Sequence, residues 1–177
     1  ELRVHPTLIP QERLIANVNG VKNAVLVQSD AVGSTLYYGS GAGAGPTGSA
    51  IVADIVDIVR SLTVENRCAV PHLAFQPDSL ADTPILSVEA IKTAYYLRLQ
   101  ANDKSGVLAD MTRILSDNDI SIEAILQKPL HEAGTVPVII LTKPVLEREM
   151  NRAIGSLEAL ADIVAPVVRI RLETLDA

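Results

Sequence analysis

From Thr93 onward the hydrophobic period of this chain switches between two and 3.6, and the order of those switches narrows the fold more than any other feature. Tyr95-Tyr96-Leu97-Arg98-Leu99-Gln100-Ala101 alternates as a strand, and Asn102-Asp103-Lys104-Ser105-Gly106 turns the chain. Val107, Leu108, Met111, Ile114 and Leu115 then fall at helical spacing. Ile120, Ile122, Ala124 and Leu126 alternate as a second strand, a loop follows from Lys128 to Gly134, and Val136 to Thr142 forms a third strand. Leu146, Met150, Ala153, Ile154 and Leu157 mark a second helix that Pro144 helps to start. Val168, Ile170 and Leu172 close the series, with Arg169, Arg171 and Glu173 expected to face out.

The order is βαββαβ, a ferredoxin-like unit in which both helices cover one face of an antiparallel sheet. The rest of the chain reads differently. Ala24 to Gln28 and Ser34 to Tyr38 are two β-like runs joined by a polar turn at Ser29–Gly33, and Asn19-Gly20 is a tight reversal before them. Near the N-terminus, Leu2 and Val4 alternate as a short strand stopped by Pro6. A helix from about Thr47 to Leu62 carries apolar residues at 51, 52, 55, 56, 58, 59 and 62, a stripe wide enough to predict burial. From Thr63 to Lys92, prolines interrupt a stretch with no sustained period, the mark of a linker. Leu73, Phe75, Ile85 and Leu86 are its candidates for docking on a neighbouring surface. Cys68 and His72 lie in it without ligand-spaced partners and receive no role.

Between the second β-like run and the helix lies Gly39-Ser40-Gly41-Ala42-Gly43-Ala44-Gly45-Pro46-Thr47-Gly48-Ser49. Alternate glycines let another backbone or a ligand approach closely, and Pro46, Thr47 and Ser49 suit a helix start, the latter two as caps. A helix start presents free N–H groups to phosphate. The spacing is not that of a P-loop, because the required lysine is missing. Close packing and cofactor contact therefore both remain open from pattern alone.

Composition excludes several classes. A net charge of -6 without a basic cluster argues against nucleic acid, and one Phe, four Tyr and no Trp argue against a base-stacking surface. No run reaches the ~20 consecutive apolar residues of a membrane helix. A single cysteine forms no internal disulfide, which suggests a soluble cytoplasmic protein. His5, His72 and His131 are too dispersed for a metal site. The chain begins on a strand-like segment without methionine and reads as a piece of a longer protein.

Leu97-Arg98-Leu99 running into Asp103-Lys104-Ser105-Gly106-Val107-Leu108, followed by Ile120-Ser121-Ile122-Glu123, resembles an ACT domain. Arg3 to Pro10, Val18 to Val25 and the Gly39 to Asp54 run resemble the closing part of the homoserine dehydrogenase catalytic region. The resemblance implies an α/β (α+β) fold: a partial catalytic and nucleotide-binding segment over 1–62, a linker over 63–92 and an ACT regulatory domain over 93–177. It implies NADP- or NAD-dependent interconversion of homoserine and aspartate 4-semialdehyde, with the catalytic lysine and carboxylates upstream of Glu1. Gly43 is the best match to the family's cofactor-contacting glycine, and Gly41 and Thr47 are weaker ones. Asn102, Asp103, Gly106, Val107 and Leu108 match the loop where ACT domains hold an amino-acid effector, threonine being favoured, with homo-oligomerisation through the same domain. The competing reading is a non-enzymatic amino-acid-binding or dimerisation module.

Overall fold

The computed structural model describes residues 1–63, 74–127 and 134–175. Cys68, His72, Leu73 and His131 lie outside them. The described chain falls into two compact units. One comprises Glu1–Pro10 with Ile85–Leu175, and the other spans Gln11–Pro84.

The first unit holds the βαββαβ series: β4 (Lys92–Asn102), α2 (Val107–Asp117), β5 (Ile122–Gln127), β6 (Thr135–Thr142), α3 (Glu147–Glu158) and β8 (Val168–Leu172). A two-residue strand, β7 (Val145–Leu146), precedes α3 and pairs with the start of β4. The sheet order β8-β4-β6-β5 is antiparallel throughout, as the ferredoxin-like reading requires. Its core forms because the even-spaced residues of β4 and β6 meet one stripe of each helix. Tyr95, Leu97 and Leu99 face Met111 and Leu115 of α2 and Met150, Ala153 and Leu157 of α3, all fully buried. A bulge between Ile122 and Ala124 interrupts β5, whose residues from Glu123 onward are exposed.

One strand of this sheet comes from elsewhere in the sequence. β1 (Thr7–Leu8) pairs parallel with β8, Thr7 opposite Arg171 and Leu8 opposite Leu172. The Glu173 N–H donates to the Leu8 carbonyl at 3.1 Å, and the Arg3 guanidinium reaches the Glu173 carboxylate at 2.9 Å. The N-terminal strand thus lies after Pro6, not before it, and Val4 is fully exposed. Pro6 and Pro10 lack the N–H a longer ladder needs, so the pairing stays short. At about 0.5–1.5 kcal/mol net per hydrogen bond, so brief a ladder is weak compared with the core beside it.

In the second unit β2 (Lys22–Ser29) and β3 (Gly33–Ser40) form an antiparallel hairpin from Lys22↔Ser40 to Ser29↔Gly33, and α1 (Ala44–Thr63) follows. Gly20, at φ +63°, provides the reversal before β2. Two expectations about α1 are corrected. The helix begins at Ala44, so Thr47 and Ser49 are helical residues and not caps. Gly43, at φ +125°, makes the turn, and Pro46 sits in the first turn where its missing N–H costs nothing. The stripe is also exposed: Ile51, Val52, Ile55, Ile58 and Val59 are each more than half accessible. In the linker, short 3-10 turns occur at Pro77–Ser79 and Val88–Ala90. Phe75, Ile85 and Leu86 are exposed there; the residue that docks is Ile91, which enters the core just before β4.

Candidate functional site

The glycine loop is built by the end of β3. The Gly41 N–H donates to the Val21 carbonyl at 2.9 Å, which closes the hairpin and aims the chain toward α1. A Cβ on Gly41 would fall 1.7 Å from the Asn23 side-chain nitrogen, the far end of a side chain that can rotate away, so the contact alone does not demand glycine there. Gly43 is required by its positive φ, and a Cβ there would also press to 3.3 Å on the Pro46 ring. The Thr47 N–H donates to the Gly43 carbonyl at 3.0 Å, the first α-helical bond.

Gly39, Gly45 and Gly48 have nothing within 4 Å of where a Cβ would stand. The protein around them does not demand glycine. An open cleft of about 270 Å³ runs beside Asn23, Val25, Tyr37, Gly39 and Gly41. The cleft is lined by β2, β3 and Gly41 and stops short of the helix start, whose bare backbone and first N–H groups are the part of the loop suited to meet a phosphate.

The second candidate region lies at the far end of β4. Gly106, at φ +95°, turns the chain into α2, which has no side-chain cap, so its first amides face the loop. Asn102 is held on both sides: its N–H and its side-chain amide each donate to Asp162, at 2.8 Å, on the carbonyl and the carboxylate respectively. The Lys104 ammonium meets the same carboxylate at 2.6 Å. The hydrogen bond from Lys104, then that from Asn102, holds the Asp162 carboxyl below its usual range. Asp162 was not a sequence candidate, since only the fold brings it to this loop. Asp103 keeps an exposed side chain, while Val107 is buried and Leu108 is partly exposed. A cavity of about 40 Å³ opens between them, lined also by Gln127, Val136 and Val138. It has room for roughly a few waters, so an amino acid needs the lining to part or a second wall to enclose it.

A third cluster went unrecognised in the sequence. Arg169 and Arg171 do not face out: their strand pairs Leu97 with Arg169 and Tyr95 with Arg171, which turns both side chains toward α3. The Glu147 carboxylate, 3% exposed, accepts the Tyr95 hydroxyl at 2.6 Å and Arg171 at 2.5 and 3.1 Å, and pairs with Arg169 at 3.1 Å. Arg169 also reaches the Asn151 side-chain oxygen at 2.6 Å and lies over the Tyr95 ring. Burial alone would raise the Glu147 carboxyl; the bonds from Arg171 and Tyr95 and the two guanidinium charges together outweigh it and hold the carboxyl low. Burial, then the bond to Glu147, pushes the Tyr95 hydroxyl far up. Every group here has a partner inside the cluster, so it fixes β8 to α3 and offers no reactive side chain. Among the described residues no group of His, Cys, Asp or Glu is arranged to hold a metal, and no helix is long and apolar enough to cross a membrane.

Comparison with known proteins gives two family matches in one chain. Residues 1–56 match the homoserine dehydrogenase family model, and residues 95–159 match the ACT domain model. A homoserine dehydrogenase from Pseudomonas aeruginosa is 60% identical over 99% of the chain, and one from Neisseria gonorrhoeae is 49% identical over the same share. The crystal structure of a homoserine dehydrogenase from Thiobacillus denitrificans superimposes on 98% of the chain with a TM-score of 0.88 and 60% identity. The chain spans about 40% of the length of these relatives: 41%, 40% and 39% respectively.

Proposed function

This chain belongs to the homoserine dehydrogenase family and carries an ACT domain, and from that premise we propose that it is the C-terminal part of an enzyme interconverting homoserine and aspartate 4-semialdehyde. The observation that carries this reading is the pair of family segments, in that order, within one stretch that is 60% identical to a homoserine dehydrogenase over 99% of the chain. In the intact enzyme a bound NADP or NAD supplies the hydride chemistry. The residues of this chain assigned to it are Gly43 and Gly41, whose backbone without side chains lets the nucleotide approach, and Thr47 in the first turn of α1. Catalytic groups are assigned to the part of the enzyme outside this chain.

The test is homoserine-dependent reduction of NAD and NADP by the intact enzyme and by this chain alone. Turnover is expected in the first and none above a heat-killed control in the second; turnover by the chain alone, or none by the intact enzyme, rejects the reading. Gly43→Ala in the intact enzyme refines it. Its positive φ makes any side chain cost about 1–3 kcal/mol in stability. Contact with the nucleotide adds a rise in the cofactor KM, on the order of tenfold for a loss near 1.4 kcal/mol, with the homoserine KM unchanged. A folded variant with the parental cofactor KM makes Gly43 a backbone requirement only.

ACT domains bind amino-acid effectors and oligomerise, and we assign both properties to the β4–α2 loop and its sheet. The exposed β5 edge supports pairing with a second copy. The small cavity supports a site completed by that copy. The α2 amides from Gly106 to Leu108 would take the carboxylate and Asp103 the ammonium, while Asn102 positions the loop through Asp162. Threonine, as a pathway end product, is the favoured ligand. Calorimetry on the oligomer should show Asp103→Ala binding threonine roughly tenfold more weakly, as expected for one charged hydrogen bond. Unchanged affinity in the variant moves the ammonium site away from Asp103.

A further inference from the structure

The strand β1 belongs to the segment that matches the homoserine dehydrogenase model, yet it is hydrogen-bonded into the ACT sheet. Directly after it the chain continues through Pro10 into the second unit at Gln11. A connection with no role in the sheet would not need a register, but this one has three points of attachment. They are the Thr7↔Arg171 and Leu8↔Leu172 pairings, the Glu173 N–H on the Leu8 carbonyl, and the Arg3–Glu173 ion pair.

The Asn102–Leu108 loop is also tied to the chain that leads into β8. The loop holds Asp162 through Asn102 and Lys104, Ala101 bridges Ile163, and the Val164 N–H donates to the Gln100 carbonyl. From Val164 a short connection reaches Val168 and β8. There the Arg171 side chain is anchored on Glu147, and the backbone of the same residue pairs with Tyr95 on one side and Thr7 on the other. Asp162 is therefore connected to β8 by hydrogen bonds as far as Val164 and by the chain from there, and the shortest ladder β8 makes is the two-residue one to β1.

We propose that β1 is a regulatory strap: its pairing with β8, clipped by Arg3–Glu173, carries the ligand state of the Asn102–Leu108 loop into the dehydrogenase segment. The proposal rests on that loop being an amino-acid site. A spatial route alone does not establish coupling, so the strap must be shown to change the response while leaving binding intact.

The experiment uses the intact enzyme with Arg3→Ala, Glu173→Ala, both together, and Arg3→Lys as the conservative control. Threonine, isoleucine and methionine are tested separately, each by calorimetry for binding and by dehydrogenase assay for inhibition. The expected result is that the two alanine variants bind the effector within about twofold of wild type and keep the basal kcat. Their inhibition is expected to weaken at least about fivefold, the lower end of ordinary allosteric coupling. The double variant should be no worse than either single one, and Arg3→Lys should retain inhibition. Wild-type inhibition in the alanine variants overturns the strap while leaving the effector site standing, as does a wild type that binds an amino acid without being inhibited. A wild type that binds none of the three removes the effector site, and the strap with it.

Discussion

Glu147→Ala is expected to destabilise the ferredoxin-like unit by about 3–5 kcal/mol, the cost of removing one partner from a buried ion pair. The substitution leaves two guanidinium groups against the core without their carboxylate, and the Tyr95 hydroxyl, in a fully buried side chain, without its acceptor. Hydrogen exchange at the Leu97 and Leu99 amides of the full chain reports this unit alone, and protection there should fall by a matching factor. The loss comes from the unpaired charges more than from the pair itself. Glu147→Leu with Arg171→Met removes one of the two stranded guanidinium groups and refills the space, so it should cost less than Glu147→Ala alone, with the Arg169 and Tyr95 groups still unpaired in both. If the double variant is the worse of the two, Arg171 stabilises the fold by more than its bond to Glu147, and the stranded guanidinium is not the main cost. The pH dependence has a fixed sign. The folded state holds the Glu147 carboxyl below its ordinary value of 4.5, so its contribution is complete above the unfolded pKa and lost as pH falls through the folded one. Acid unfolding of the wild type should steepen below about pH 4.5 relative to Glu147→Gln, which has no such proton to take up.

The same cluster shows where the sequence stops being legible. The βαββαβ order could be read because each element carries a clean period, and Val107, Met111 and Leu115 of α2 do face the core. β8 alternates just as cleanly, but alternation says which residues share a face and not which face is buried. Val168, Ile170 and Leu172 look like the inner set, yet Arg169 and Arg171 take that face because Glu147 opens α3 beneath them. A lone glutamate at the start of a helix carries no mark of its future burial. The β4–α2 loop was legible as a strand–turn–helix, whereas Asp162 was not, being brought to Asn102 only by the return of the chain after α3. In the glycine run, pattern could not separate packing from ligand approach. The structure separates the residues in part: Gly43 answers to its own φ and Gly41 lies under the movable Asn23 side chain, while Gly39, Gly45 and Gly48 answer to nothing nearby.

Ile55→Ala on α1 is expected to cost about 2–5 kcal/mol in the intact enzyme and within about 0.5 kcal/mol in this chain alone. The amphipathic stripe predicted a buried helix, and here Ile51, Val52, Ile55, Val56, Ile58, Val59 and Leu62 are between 39% and 79% exposed. Asp57 and Arg60 are exposed as well and lie 4.0 Å apart. A helix that keeps an apolar stripe of this breadth is shaped for a protein surface, since isolated patches of that size are rare on monomers. The relatives are more than twice as long as this chain, which is 41% of one and 40% of another. On the function proposed above, the surface that covers α1 lies in the part of the enzyme outside this chain. Each fully buried aliphatic side chain would add about 1.5–3 kcal/mol there, a gain that the chain alone forgoes. Paired denaturant titrations of the two proteins, with and without the substitution, read the difference directly. Equal small losses in both would leave α1 solvent-facing in the enzyme as well. Should the chain alone instead associate with itself, and Ile55→Ala abolish that association, a second copy is the surface α1 was shaped for.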